Sequence, residues 1–309
     1  MALFRAVFLM GICLWLSGCL RGPQGNPVFG KHLHGVWVRD NSLIWAVGAE
    51  GDILHSPDGS QTWRRQASGT RVPLQLIYGS GSDLWTVGPH GTILHSRDGG
   101  QTWTQQASGT EVALYTVHGT SSHLYVVGAR GTILYSSDGG QHWQKRRSRT
   151  KNTLFSVYSS GSHVWIAGDN GTILYSPDWG QNWQPQTSGV TDSLRVIYGD
   201  NGNLWVAGFG GIILHSSDGG KHWRPQTSGT NKTLTSFYGR GKDLWAAGVA
   251  GTILHTGDGG EHWELQETGT MRNLEEIRGS ATHLWVVGYG PTLMQSTDAG
   301  QTWQHHDLR

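Results

Sequence analysis

Apolar positions in this chain recur in short bursts, four to a unit, with polar and glycine-rich gaps between them. Residues 71–110 illustrate the unit. Leu74–Tyr78 is an apolar run ended by Gly79-Ser80-Gly81-Ser82, which predicts a strand and a turn. Leu84-Trp85-Thr86-Val87 predicts a second strand, rich in aromatic and β-branched residues, turned by Gly88-Pro89-His90-Gly91. Thr92-Ile93-Leu94-His95 predicts a third, Thr102–Ala107 a fourth, and Ser108-Gly109-Thr110 leads on. Four such strands form an antiparallel sheet too small to be stable alone. The pattern repeats every 40 residues, so 31–309 divides into 31–70, 71–110, 111–150, 151–190, 191–230, 231–270 and 271–309, with no insertion or deletion in the frame. A fixed period of this length marks a repeat architecture. The expectation is an all-β, seven-bladed β-propeller of four-stranded antiparallel blades, in which only short edges stay exposed.

The most regular stretch is Ser96-Arg97-Asp98-Gly99-Gly100-Gln101-Thr102-Trp103, between the third and fourth strands. Its aspartate recurs as Asp58, Asp98, Asp138, Asp178, Asp218, Asp258 and Asp298, and its tryptophan as Trp63 through Trp303. An aspartate in a turn accepts hydrogen bonds from backbone N–H groups a few residues on, and serine does likewise. Gly100 permits a positive φ where the chain reverses. This resembles the Asp box, or bacterial neuraminidase repeat, S-x-D-x-G-x-x-W. Blade 1 departs with Ser60 for the glycine and blade 6 with Thr256 for the serine, so slight strain is expected in both turns. The box sets the phase, each unit running from inner to outer strand. Blade 7 then ends in its own outer strand, Thr302–Asp307, and the ring closes by side-to-side packing without a swapped strand. Val28-Phe29 is the alternative source of an added strand.

Composition changes this picture little. The formal net charge of +1 and the 15% charged fraction give no electrostatic case for nucleic acid. Of 16 tryptophans, all but Trp15, Trp37 and Trp179 sit at two repeat positions, so most are scaffold. The N-terminus adds more. Residues 1–18 carry one cation, Arg5, and an apolar run from Ala6 to Leu16, shorter than the roughly 20 residues of a membrane span. That is the layout of an export signal. Leu16-Ser17-Gly18-Cys19 resembles the bacterial lipobox, which implies acylation of Cys19 and leaves no disulfide, since Cys13 is lost with the signal. Residues 19–30 read as a lipidated cysteine and flexible tether. Leu20 after the cysteine points towards the outer membrane, with a periplasmic or surface location.

Candidate chemistry is sparse. Each box lies roughly 10–15 Å from the inner strand, so box aspartates splay apart, whereas glycosidase carboxylates stand about 5–9.5 Å apart. The aspartates are therefore read as structural. Glu275-Glu276 is the one adjacent carboxylate pair in the propeller; neighbours on a strand point to opposite faces, so they are not expected to act as a pair. His55, His95, His215 and His255 share one third-strand position with Tyr135, Tyr175 and Gln295. One per blade is too far apart for a shared metal, and alternation with tyrosine suggests a packing role. No phosphate-binding loop, zinc spacing or nucleophile motif occurs, so no enzyme, cofactor or metal is expected.

Binding is sought where the seven copies disagree, because loops on a rigid scaffold carry function. The turn between second and third strands differs most, supplying Glu50, His90, Arg130, Asp169, Asn170, Phe209 and Tyr289 as candidates. The segments leading into the first strand differ too and should emerge on the same face. On the inner strand, Tyr78, His118, Tyr158, Tyr198, Tyr238 and Arg278 share a position, assigned to Val38 in blade 1; they are read as inter-blade packing or channel lining. Lys145, Arg146, Arg147, Arg149 and Lys151 form the one charge cluster, suited to an acidic protein patch or anionic lipid.

The combination Leu84-Trp85-Thr86-Val87-Gly88, Gly91-Thr92-Ile93-Leu94 and Asp98-Gly99-Gly100 with Trp103 resembles the photosystem II stability and assembly factor propellers, over all of 31–309. The resemblance implies a seven-bladed, non-catalytic protein that binds a membrane-protein precursor through a basic patch; no motif places that patch residue by residue here. Similar repeats occur in bacteria without photosystems. The resulting expectation is a monomeric, lipid-anchored, non-enzymatic propeller, binding an envelope or membrane protein as an assembly scaffold. The alternative is a glycan partner, bound by a lectin-like or sialidase-related propeller.

Overall fold

The computed structural model describes residues 32–280 and 282–306. The expected signal peptide and tether, with Cys19 and Val28-Phe29, lie outside the described residues.

Seven four-stranded antiparallel sheets follow one another, each built from four consecutive strands in order. In blade 2 these are Leu76–Ser80, Asp83–Gly88, Thr92–Ser96 and Thr104–Gln105. The outer strand is shorter than the apolar pattern suggested, with one further ladder bond from Gln106 N–H to the Ile93 carbonyl. The inner strand begins later than expected because Pro89 has no N–H to donate to the Pro73 carbonyl, a bond that Asp169 makes to Thr153 in blade 4. In blade 4 it does start at the equivalent residue, Leu154.

The core lies between blades. Trp45, Val47 and Ile53 of blade 1 pack on Leu74, Ile77, Leu84 and Leu94 of blade 2, all essentially fully buried. Each such aliphatic side chain contributes about 1.5–3 kcal/mol. The ring closes in the same way, Val36, Ala46 and Leu54 of blade 1 meeting Trp285, Val287 and Leu293 of blade 7. As expected, blade 7 supplies its own outer strand, Gln304–His305. Side chains stitch the closing seam: Ser60 Oγ donates to Gln295 Oε1 at 2.8 Å, and Gly290 N–H to His32 Nδ1 at 2.8 Å.

The repeat frame is not intact in blade 1. There Trp37 pairs with Trp45, eight residues on, whereas in blade 2 Tyr78 pairs with Trp85, seven on. Trp37, not Val38, therefore occupies the position of Tyr78. The extra residue sits in the turn after the inner strand, where Asp40 Oδ1 accepts from the Ser42 N–H and hydroxyl and from Leu43 N–H. No box precedes this strand in the chain, so the 40-residue spacing of the boxes does not reveal the shift.

The box turn is a closed hydrogen-bond loop. Ser96 Oγ donates to Asp98 Oδ1 (2.7 Å) and accepts from Gly100 N–H (2.7 Å). Thr102 supplies its N–H to Asp98 Oδ1 (2.9 Å) and its hydroxyl to Oδ2 (2.6 Å). The Thr102 hydroxyl and N–H, together with Ser96, hold the Asp98 carboxyl down to about 2. Gly100 has φ 87°, and a Cβ there would meet Trp45 Nε1 and Gln66 Oε1 of blade 1 at 2.9 and 2.6 Å. The box also joins neighbours: Trp165 and Trp205 Nε1 donate to the Gly219 and Gly259 carbonyls of the next blade at 3.0 and 3.2 Å. Ser60 does carry a left-handed φ of 75°. Blade 6 escapes the expected distortion of its serine site, because Thr256 Oγ1 makes the same bonds to Asp258 and Gly260, at 2.7 and 3.0 Å.

Candidate functional site

Two regions carry the chain's non-repetitive chemistry: the face bearing the turns between second and third strands, and the axial channel.

The variable turns and lead-in segments share one face. Ala129, Phe209 and Tyr289 donate their N–H groups to the carbonyls of Ala113, Ser193 and Asn273, just before the inner strands of their blades (2.9–3.0 Å). The next residue is left-handed: His90, Arg130 and Asn170 have φ of 55°, 56° and 53°, and Glu50 has 56°. In an L-residue this costs roughly 1–2 kcal/mol. These four side chains are exposed, as are Phe209 (47%) and Tyr289 (43%). Tyr289 packs on His32 of blade 1, ring centroids 4.5 Å apart. Asp169 is half-buried and accepts from Ser193 Oγ at 2.5 Å, which makes it partly a staple between blades.

Blade 3 brings two groups of candidates together. Arg130, Lys145, Arg146, Arg147, Arg149 and Lys151 border one groove of about 450 Å³. Arg146 departs from expectation. Its guanidinium lies over the Tyr135 ring, 4.6 Å from the centroid, and its Nε is buried without a hydrogen bond. The alternation of the outer strand turns it inward and leaves its neighbours exposed. The matching groove of blade 1 mixes Glu50 and Asp52 with Arg65 and Arg71, and Arg65 is paired with Asp52. In blade 5 it has no charged lining. Only the blade 3 groove, of these three, is wholly cationic.

The third-strand histidines are packers. His95 stacks on Trp85 at 4.8 Å with 11° between planes, and His55, His215 and His255 stack likewise on Trp45, Trp205 and Trp245. Among the described residues no group of three or more His, Cys, Asp or Glu is placed to hold a metal ion.

The inner strands enclose an axial cavity of about 370 Å³. Trp37, Tyr78, His118, Tyr158, Tyr198, Tyr238 and Arg278 form one ring around it. The Tyr78, Tyr198 and Tyr238 hydroxyls donate to the carbonyls of Gly119, Gly239 and Gly279 in the following blades, so this ring both packs blades and lines the channel. Burial, with Arg278 adding to it, takes His118 down to about 4. Glu275 and Glu276 both border the cavity, contrary to the expected opposite faces, because a bulge between Leu274 and Glu276 breaks strand alternation. Glu276 is buried, pairs with Arg278 at 2.6 Å, and is pushed up to about 7 by burial against the opposing pull of Arg278 and the Val36 N–H. Arg195, also on this wall, was missed from the sequence. The available signal was a charge at a position where blades 3, 4 and 6 carry Tyr115, Phe155 and Thr235.

With this geometry, comparison places the chain. The family model described as Photosynthesis system II assembly factor YCF48 matches residues 110–188 and 236–309. Those two stretches, just under half of the chain, resemble that family. YCF48 from Cyanidioschyzon merolae superposes with a TM-score of 0.71 at 19% identity, over 88% of this chain and 97% of that one. A structure titled YCF48 bound to D1 peptide gives 0.73 at 19% identity, over 88% and 94%. The GH74 xyloglucanase of Xanthomonas campestris gives 0.70 at 13% identity, covering 89% of this chain but only 53% of the enzyme. At these identities the superpositions speak to fold. No curated protein matches by sequence.

Proposed function

We propose that this chain is a non-enzymatic scaffold that binds an acidic, extended segment of a protein partner, and that acylated Cys19 holds it at the bacterial envelope. The observation that carries the reading is the convergence of Arg130 with Lys145, Arg146, Arg147, Arg149 and Lys151 on one groove of the variable face. Six cations, five of them exposed, without an acidic neighbour in the groove favour carboxylates and raise association rates. A YCF48 structure holding a D1 peptide supports a protein segment as the ligand class. The box aspartates lend nothing to hydrolysis, since each carboxylate is consumed by its own turn.

The test is affinity capture with the full-length chain in detergent, followed by titration of the captured partner's acidic segments at rising salt. Arg130→Glu with Arg147→Glu should weaken binding at least tenfold and flatten its salt dependence. Unchanged affinity and salt slope would remove the groove from the function. Metabolic labelling with a fatty acid, lost in Cys19→Ser, tests the anchor.

A further inference from the structure

Two opposite charges in the axial cavity make no direct ion-pair contact. Arg195 on the inner strand of blade 5 and Glu275 on that of blade 7 are both half-buried and both border the cavity, with Thr235 of blade 6 between them. Among the described residues neither makes an ion pair or a side-chain hydrogen bond. Arg195 instead lies on the Phe155 ring, 4.1 Å from its centroid. The Thr235 hydroxyl between them is committed to the carbonyls of Leu274 (2.7 Å) and Ala247 (3.1 Å). Burial raises the Glu275 carboxyl and the Arg195 charge pulls it back, so the two act on each other across the cavity without touching. Glu276 and Arg278, on the same wall, do pair with each other.

The rest of the wall is of another kind. Tyr115 and Phe155 adjoin at 5.6 Å. Three of the ring's four tyrosines, Tyr78, Tyr198 and Tyr238, spend their hydroxyl protons on backbone carbonyls, so they offer mainly π surface. A cavity of about 370 Å³, largely aromatic with a few convergent charges, has the make-up of a small-molecule site.

We infer that the channel binds a small zwitterion with an apolar or aromatic side chain, in chemical class an α-amino acid. Its carboxylate pairs with Arg195, its ammonium with Glu275, and its side chain lies against the aromatic wall. A monoanion satisfies Arg195 alone and is repelled by Glu275; a monocation has the converse problem. A neutral sugar supplies no countercharge to either. Charge-assisted contacts at both ends make the zwitterion the best match.

Calorimetry on the full-length protein tests this with L-phenylalanine and L-tryptophan against phenethylamine, 3-phenylpropionate and glucose. The amino acids should bind saturably and raise the melting temperature, and each single-charge analogue should bind about tenfold or more weakly. Arg195→Gln should lower affinity for L-phenylalanine to that for phenethylamine, and Glu275→Gln to that for 3-phenylpropionate. The ligand series on unaltered protein stands even if a variant misfolds. Absence of saturable amino-acid binding at millimolar concentration, equal binding of the single-charge analogues, or preference for glucose each overturns the assignment.

Discussion

Glu276 Oε2 accepts the Val36 N–H at 2.7 Å, a bond across 240 residues that joins the last blade to the first. Elsewhere the same inter-blade bond is made by serine: Ser156 Oγ accepts from Ile197 N–H and Ser236 Oγ from Ile277 N–H, at 3.1 and 3.2 Å. At the closing seam the longer side chain fits because Gly35 opposes it; a Cβ there would lie 3.1 Å from Glu276 Oε2. The seam thus uses a buried carboxyl where its counterparts use a hydroxyl.

That carboxyl makes stability depend on pH. Its folded value, raised to about 7 chiefly by burial, exceeds the ordinary 4.5, so the folded state holds the proton more tightly. The contribution is full below the ordinary value and is lost as pH rises from about 4.5 to 7, on the order of 3 kcal/mol. Glu276→Gln keeps an acceptor for Val36 and removes the titration. Denaturant unfolding at pH 5 and pH 8 should show a smaller loss for the variant and greater stability than the parent at pH 8. Parallel pH profiles would refute this role.

The box serine is buried, and its hydroxyl should matter for stability out of proportion to its size. Ser96→Ala removes the acceptor of the buried Gly100 N–H and should cost about 1–3 kcal/mol. Ser96→Thr should be tolerated, since Thr256 already performs the task in blade 6. Urea midpoints of the two variants decide it.

The register shift in blade 1 has its own signature. Trp37 lies 5.1 Å from the Tyr78 ring and its indole fills the space over Gly79. Trp37→Ala should cost about 2–3 kcal/mol, and Val38→Ala well under half of that. The reverse order in thermal unfolding would restore Val38 to the inner ring.

Arg146 lines the cationic groove, but Tyr135 holds its guanidinium. Arg146→Met should cost about 1 kcal/mol through loss of its contact with Tyr135. It should leave partner affinity and its salt slope unchanged, in contrast to Arg147→Glu. An equal loss of affinity from both substitutions would mean that Arg146 swings outward on binding.

The 40-residue period, the alternation of apolar runs and the turn chemistry of the box determined the blade count, the strand order and the closure without a swapped strand. These are local properties, repeated seven times, and a local hydrogen-bond loop such as Ser96–Asp98–Thr102 is legible from spacing alone. The common face of the variable turns followed from antiparallel order for the same reason. Contacts between blades were not legible, because they join residues 40 or 240 apart and respond to bulges and one-residue shifts. The bulge before Glu276 turned two carboxylates towards one cavity, and the long turn at Asp40 put Trp37 in the inner ring. Only packing distinguished Arg146, folded onto Tyr135, from the exposed cations beside it. Only ring closure set Arg195 and Glu275 around the same channel, since neither residue's neighbours in sequence record which blades will surround it.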